Sequence, residues 1–270
     1  MDKQRIKLTQ EKETLLVPLY SKAMESARTQ PILIDTKANE ILAGIDYEFK
    51  DLQIPRQTLI TLAMRAKKMD SVVNEFSAHV ENPIILHLGC GLDNRVNSVN
   101  RAKGDWYDLD FPEVIEIRKH FYQESEHYHM ISSSVTDLTW LSQVKENGPA
   151  CIIAEGLLMY LTEDAVKQLF ISLQTRWPSS EICFDAYSRL TAKSVNNHPS
   201  IKKTGARIYW GIDNFAEIQG WGKGVQLIEE WYFTDSEDIA SLDFLDRLLF
   251  RTMGSFHAAK KAHRVLHVQL

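Results

Sequence analysis

A short glycine-containing segment near the centre of the chain has the composition of a nucleotide-binding turn. The apolar run Ile84-Ile85-Leu86-His87-Leu88 is followed at once by Gly89-Cys90-Gly91. Glycine has no Cβ, so it lets the backbone approach a ligand closely and adopt positive φ. Asp110 lies 21 residues after Gly89 (110 − 89) and ends the next apolar run. A carboxylate at this position can accept hydrogen bonds from both ribose hydroxyls of an adenosine group.

The nature of the adenosine ligand depends on the residue that follows this turn. A third glycine at position 94 would complete the GxGxxG pattern that holds a pyrophosphate, but Asn94 stands there. This difference favours an adenosyl ligand without phosphates. The turn and Asp110 alone still leave three interpretations open: S-adenosylmethionine, NAD, or a purely structural turn beside a surface aspartate.

Composition excludes several classes of partner. The chain has 270 residues, 44% of them hydrophobic, and a formal net charge of −5, which lacks the basic bias of nucleic-acid-binding proteins. No apolar run approaches the roughly 20 residues needed to cross a bilayer. Three cysteines without metal-ligand spacing predict buried free thiols and no metal site. With a polar amino terminus, these features predict a cytoplasmic protein that binds neither membrane nor nucleic acid.

The elements around the turn alternate between strands and helices. Apolar residues at spacings of three and four predict a helix from about Arg56 to Val80. Seven short runs predict strands: Ile84 to Leu88, Trp106 to Asp110, His129 to Ile131, Ala150 to Ala154, Glu181 to Asp185, Gln226 to Phe233 and Arg264 to Leu270. Helices are expected after Phe111, after the N-cap Thr162, and from about Ser236 to Arg251.

This alternation predicts an α/β fold with a seven-stranded, mostly parallel sheet covered by helices on both faces. Residues 81–186 and 226–270 would form the core. Residues 1–80 would form an amino-terminal helical cap, and 187–225, rich in Trp, Tyr and Gly, would form a second cap segment. The two would cover the carboxyl ends of the strands, where open α/β sheets bind their ligands.

Three longer strings carry a family resemblance. They are Ile85-Leu86-His87-Leu88-Gly89-Cys90-Gly91-Leu92-Asp93-Asn94-Arg95, Trp106-Tyr107-Asp108-Leu109-Asp110-Phe111-Pro112-Glu113-Val114 and Ile153-Ala154-Glu155-Gly156-Leu157-Leu158-Met159-Tyr160-Leu161. Together with the segments Leu19 to Ser26 and Met64 to Asp70, they resemble the leucine carboxyl methyltransferase family. The similarity is to the bacterial branch that includes polyketide-synthesis O-methyltransferases of the tetracenomycin type.

The resemblance implies a class I methyltransferase-like Rossmann fold, S-adenosylmethionine as cofactor and S-adenosylhomocysteine as product. It also implies a set of site residues. The cofactor would contact Lys22, Arg65, Gly89, Gly91, Asp110, Ser134, Val135 and Glu155, and the acceptor would contact Tyr160. In this set Arg65, and by a weaker match Lys22, would pair with the cofactor carboxylate, while Asp110 would bind the ribose.

Two departures from the family pattern bear on the acceptor. Thr136 stands where leucine carboxyl methyltransferases proper have an arginine that holds the substrate carboxylate, and Asn94 replaces a more usual threonine. These differences disfavour a protein carboxyl terminus and favour a small molecule with a hydroxyl or carboxyl group. A carboxylate, with a pKa of about 4, needs no base, whereas a phenol, with a pKa of about 10, would benefit from one.

The residues leave the acceptor site and the function class open. His198 is a candidate base for a phenol, with a structural role as the alternative. The stretch from Tyr209 to Phe215 and Trp221 to Gly224 could line the acceptor site or simply pack within the cap. The leading hypothesis is an S-adenosylmethionine-dependent O-methyltransferase. A nicotinamide-dependent dehydrogenase and a non-catalytic binding relative are the alternatives.

Overall fold

The fold is built on one sheet of seven strands. The computed structural model describes residues 15–52, 54–100, 104–146, 148–197 and 205–270. Its strands are β1 (Ile84–Leu88), β2 (Asp105–Asp110), β3 (Tyr128–Ser132), β4 (Ala150–Ala154), β5 (Glu181–Tyr187), β6 (Gln226–Tyr232) and β7 (His263–Gln269). They lie in the order β3-β2-β1-β4-β5-β7-β6. β7 runs opposite in direction to the other six strands, so the prediction of a seven-stranded, mostly parallel α/β sheet is confirmed.

The central strands form where the sequence is apolar without interruption. Every residue of β1 and β4 is buried, as expected for parallel strands that are covered on both faces. Successive side chains point to opposite faces. Ile85 therefore belongs to one hydrophobic cluster and Leu86 to another. The sheet thus separates two hydrophobic cores.

Helices cover both faces of the sheet. They are α1 (Leu16–Ser26), α2 (Thr36–Gly44), α3 (Arg56–His79), α4 (Arg95–Ser98), α5 (Pro112–Arg118), α6 (Glu163–Arg176), α7 (Arg189–Val195), α8 (Ala216–Gln219), α9 (Phe244–Gly254) and α10 (His257–Lys260). The predicted caps of two helices are confirmed. Pro112 occupies the first turn of α5, and the Thr162 side chain accepts a hydrogen bond from the Ala165 N–H at the start of α6.

The prediction of one helix from Ser236 to Arg251 was wrong. The chain instead forms a short 3₁₀ helix, Glu237–Ser241, and then turns before α9. The Ser236 side chain accepts from the Asp238 N–H and starts the first turn, while extended backbone at Leu242 ends it. The break at Leu242 coincides with tertiary contacts, because the Leu242 side chain is buried and the next residue, Asp243, pairs with Arg56.

The segment after β5 packs against the sheet on the α6 side. Trp210 and Trp221 are buried there, and Trp221 makes an edge-to-face contact with Phe170 of α6 at 5.5 Å between ring centroids. Most of the aromatic side chains of this segment therefore serve packing. Among all the helices described, none is both long enough and apolar enough to span a membrane.

Candidate active site

A cavity of about 420 Å³ opens at the carboxyl ends of β1, β2 and β4. This volume falls within the range of small-molecule sites. Its walls come from these strand ends, from α1 and α3, and from the segment after α7. All nine residues named from the sequence line it: Lys22, Arg65, Gly89, Gly91, Asp110, Ser134, Val135, Glu155 and Tyr160. The fold thus brings together positions that are up to 138 residues apart (160 − 22).

The turn after β1 requires glycine at two positions. Gly89 has φ +66° and Gly91 has φ +51°, a region that side chains rarely adopt. A Cβ on Gly89 would also lie 3.0 Å from Leu157 Cδ1. The Gly89 and Cys90 N–H groups donate to the Leu109 carbonyl, which ties the turn to β2. A flat backbone surface therefore faces the cavity.

Asp110 is anchored at the end of β2 by backbone donors. Its Oδ2 accepts from the Gly91 N–H at 2.8 Å, and its Oδ1 accepts from the Phe111 N–H at 2.7 Å. Burial raises the pKa of Asp110 above the usual aspartate value, although these hydrogen bonds oppose the shift. Each carboxylate oxygen retains a further lone pair that can accept from a hydroxyl. The geometry thus fits the expected ribose contact.

Arg65 projects from α3 between two carboxylates. Its Nε lies 3.1 Å from Glu155 Oε1, and its Nη1 donates to Asp185 Oδ2 at 2.7 Å. Burial alone would raise the pKa of Glu155, but Arg65 and Arg95 lower it below the usual glutamate value. A guanidinium has five N–H donors, so Arg65 retains donors for a ligand carboxylate. Asp185 was not foreseen from the sequence.

Lys22 reaches the same cluster from α1. Its ammonium group forms an ion pair with Asp93, which follows the glycine turn. Burial would lower the pKa of Lys22, but the carboxylates of Asp93 and Glu155 outweigh this and raise it. Lys22 therefore stays protonated and can donate to an anionic ligand group.

Arg95 organises this cluster from behind the cavity, and the sequence analysis missed it. Its side chain is fully buried at the start of α4. The guanidinium donates to Asp70 Oδ1 at 2.5 Å and to Glu155 Oε2 at 2.6 Å. Its charge compensates the carboxylates of Asp70 on α3 and of Glu155 just after β4, and Asp93 lies 3.6 Å away. The spacing Asp93-x-Arg95 after the glycine turn was the only trace of this role in the sequence.

The loop after β3 forms the wall that was expected to flank the adenine. Ser134 and Val135 both line the cavity, and Val135 is buried. The Ser134 hydroxyl lies 2.8 Å from the Thr136 hydroxyl. This wall therefore presents the hydroxyl group of Ser134 beside the apolar side chain of Val135.

Tyr160, Arg207 and Tyr209 complete the lining of the cavity. The Arg207 guanidinium stacks over the Tyr209 ring at 5.4 Å from its centroid. Within the aromatic stretch considered as an acceptor pocket, Tyr209 lines the cavity, whereas Trp210 packs in the core. His198 lies outside the described residues.

The cysteines have the environment that the sequence predicted. Cys90, Cys151 and Cys183 are free and buried. Burial raises the pKa of each thiol, so these groups stay protonated and inert at neutral pH.

This strand order, with its antiparallel seventh strand and a cavity built on the β1 turn and Asp110, defines a class I S-adenosylmethionine-dependent methyltransferase. Comparison with known proteins identifies the family. The family model described as leucine carboxyl methyltransferase matches residues 15–174. The chain belongs to the leucine carboxyl methyltransferase family, as its motifs predicted.

Individual relatives agree with this assignment. The chain is 33% identical over 262 residues to the tetracenomycin polyketide synthesis O-methyltransferase TcmP of Streptomyces glaucescens. This match covers 97% of each chain. It is 27% identical to the S-adenosyl-L-methionine-dependent methyltransferase dpfgK of Gibberella zeae, over 95% of this chain and 94% of the relative. Magnesium protoporphyrin IX methyltransferase from Synechocystis PCC 6803, solved with S-adenosylhomocysteine, shares the fold with a TM-score of 0.52. That match has 11% identity and covers 80% of this chain and 88% of the other.

Proposed function

We propose that this protein transfers a methyl group from S-adenosylmethionine to a hydroxyl or carboxyl oxygen of a small molecule. The observation that carries this proposal is the cavity that the β1 turn, Asp110 and the Arg65–Glu155 pair line together with Tyr160 and Tyr209. The relationship to TcmP, which is named as an O-methyltransferase of polyketide synthesis, supports oxygen as the acceptor atom. Family membership argues against the nicotinamide-dependent alternative.

The proposed cofactor contacts follow the polarity of the cavity. Asp110 would accept from the ribose hydroxyls, and Gly89 and Gly91 would let the backbone lie against the cofactor. Ser134 and Val135 would flank the adenine. Lys22, Arg65 and Glu155 form the charged end of the cavity, which suits the amino and carboxylate groups of the methionine part.

Methyl transfer requires alignment of the reacting groups more than it requires acid–base catalysis. S-adenosylmethionine supplies a methyl group on a sulfonium, which is a good leaving group. The protein has to hold the acceptor oxygen in line with that methyl and exclude water. Tyr160 and Tyr209 would exclude water on the acceptor side of the cavity. We assign Tyr160 to the acceptor site on this basis.

The carboxylates that line the cavity favour an acceptor oxygen that is already anionic. Asp93 and Glu155 are engaged by cations, and the remaining lone pairs of Asp110 would be taken by the ribose hydroxyls. These three carboxylates would therefore not serve as the base for a phenol. Arg207 adds a positive charge to the acceptor wall. A carboxylate acceptor fits this arrangement better than a neutral hydroxyl.

We also propose a division of the chain into cap and core, and a cellular compartment. We propose that residues 1–80 and 187–225 form a cap over a core made of 81–186 and 226–270. Lys22 and Arg65 at the cavity support the first cap segment, and Arg207 supports the second. Free buried cysteines support action in the cytoplasm. The net charge of −5 supports a small-molecule acceptor rather than a nucleic acid.

Calorimetric titration with S-adenosylhomocysteine tests the cofactor site. The wild type should bind one equivalent, and Asp110→Ala should weaken binding. Asp164→Ala, an exposed aspartate on α6, is the matched control and should bind as the wild type does. Absence of binding at millimolar ligand would refute the proposal.

Transfer of a radiolabelled methyl group to a panel of hydroxy and carboxy aromatic compounds tests the acceptor class. A methyl ester releases labelled methanol in mild base, whereas a methyl ether does not. Base-labile label is the expected result. Cofactor binding without transfer to any member of a broad panel would favour a non-catalytic relative.

A further inference from the structure

Helix α9 turns an apolar face to the solvent. Phe244 is 68% exposed, Leu245 is 76% exposed, and Phe256, just after the helix, is 63% exposed. The α9 apolar face consists of Phe244, Leu245, Leu248, Leu249, Met253 and Phe256. At about 100° per residue, its five helical members cover half of the helix circumference. A soluble helix ordinarily points such a face inward.

The inward side of α9 is the more polar one. Asp246 is buried there and accepts from Arg56 Nε at 2.5 Å, and Phe250 is buried beside it. These contacts fix the rotation of the helix. The outward direction of the α9 apolar face therefore follows from defined contacts with the rest of the chain.

We propose that the α9 apolar face is a dimerisation surface that binds the same face of a second copy of this chain. The exposed fractions correspond to about 600 Å² of apolar surface, if a fully exposed side chain of this size contributes roughly 200 Å². That is at the upper limit for the largest patch of a typical monomer. Two such faces would bury about 1,200 Å² in total, which reaches the lower range of stable interfaces.

The face is also self-complementary. A two-fold axis between Leu248 and Leu249 would align the two helices antiparallel and place Phe244 of one copy opposite Met253 of the other. Asp243 at the start of α9 already pairs with Arg56 of its own chain, so the match depends on the apolar side chains and on the antiparallel helix dipoles.

A membrane surface is a poorer match for the same face. The acidic residues that lead into α9 are balanced by bases, since Asp235 pairs with Lys260, Asp238 with Lys67 and Asp243 with Arg56. The surroundings of the face therefore lack the excess of basic residues that attracts anionic lipid headgroups, which favours a protein occupant.

Sedimentation velocity of the full chain tests the proposal. Between about 1 and 100 µM we expect a species of twice the 31.0 kDa chain mass. Leu245→Glu should shift the dissociation constant upward at least 100-fold and leave S-adenosylhomocysteine binding unchanged. Leu190→Glu is the matched control, because Leu190 on α7 is exposed to the same 76%. Circular dichroism would verify that both variants fold.

A crosslink locates the contact independently. Leu248→Cys should form an intermolecular disulfide on mild oxidation, whereas Leu190→Cys should not. The native cysteines are buried and do not compete. A wild-type monomer throughout the concentration range overturns the proposal. So does a dimer that Leu245→Glu leaves intact and Leu248→Cys fails to crosslink.

Discussion

Replacing Arg95 by methionine should destabilise the protein in a way that depends on pH. Arg95 is buried and contacts Asp70, Asp93 and Glu155. In the variant, Asp93 keeps Lys22 and Glu155 keeps Arg65, but Asp70 loses the cation beside it. Removing one partner of a buried ion pair costs about 3–5 kcal/mol. Because the Asp70 side chain retains 28% exposure, we expect the lower end, about 3 kcal/mol.

The sign of the pH dependence follows from Glu155. Arg65 and Arg95 hold the pKa of Glu155 below its usual value against the effect of burial, so Glu155 contributes stability at neutral pH that is lost on acidification. Without Arg95 the pKa values of Glu155 and Asp70 both rise. Protonation then relieves the unpaired charge, and the difference from wild type should narrow as the pH falls from about 7.5 to 5.0.

Urea unfolding at these two pH values measures the effect. Arg264→Met is the control, since Arg264 is equally buried but pairs with the single carboxylate of Glu230 and donates its other hydrogen bonds to the Lys261 and Ile212 carbonyls, which do not titrate. Its loss of stability should change little over the same range. A loss below 1 kcal/mol for Arg95→Met, or a loss of the same size at both pH values, would refute the assignment of Arg95 as the charge partner of this cluster.

Three further changes test single positions. Asp110→Ala should weaken S-adenosylhomocysteine binding about 10- to 100-fold in calorimetry, because hydrogen bonds to a charged group contribute roughly 1.5–3 kcal/mol. Gly89→Ala should lower the melting temperature, since its φ of +66° and the 3.0 Å approach to Leu157 cost at least about 1 kcal/mol together. Arg207→Met should raise the KM for a carboxylate acceptor about tenfold and leave cofactor affinity unchanged, in steady-state assays with a neutral acceptor as control.

The parts of the fold that local sequence determines were predictable. The bounds of β1 and β4 match the predicted ones residue for residue, because continuous apolar runs between turn residues leave little freedom. The segment from Ser236 to Arg251 was not predictable in the same way. Its break at Leu242 coincides with burial of that side chain and with the ion pair between Asp243 and Arg56, which lies 187 residues earlier in the sequence.

Residues of the candidate site with local causes were likewise predictable, and residues that depend on distant partners were not. Gly89, Gly91 and Asp110 were found because glycine and an acid at strand ends have local causes. Arg95 was missed because a basic residue in a short helix normally faces solvent. Its burial depends on Asp70 and Glu155, which are 25 and 60 residues away in sequence. Asp185 was missed for a similar reason, since its partner Arg65 lies 120 residues earlier.

The charged end of the cavity also explains how the amino-terminal helices are held on the sheet. Lys22 of α1 pairs with Asp93, and Arg65 of α3 pairs with Glu155 and Asp185 at the ends of β4 and β5. These side chains are buried, so separating the helices from the sheet would leave charges of both signs without partners in a low-dielectric region. The same ion pairs that shape the cavity therefore couple it to the docking of α1 and α3. A ligand that adds hydrogen bonds to this cluster would strengthen that docking, because it binds only the assembled arrangement.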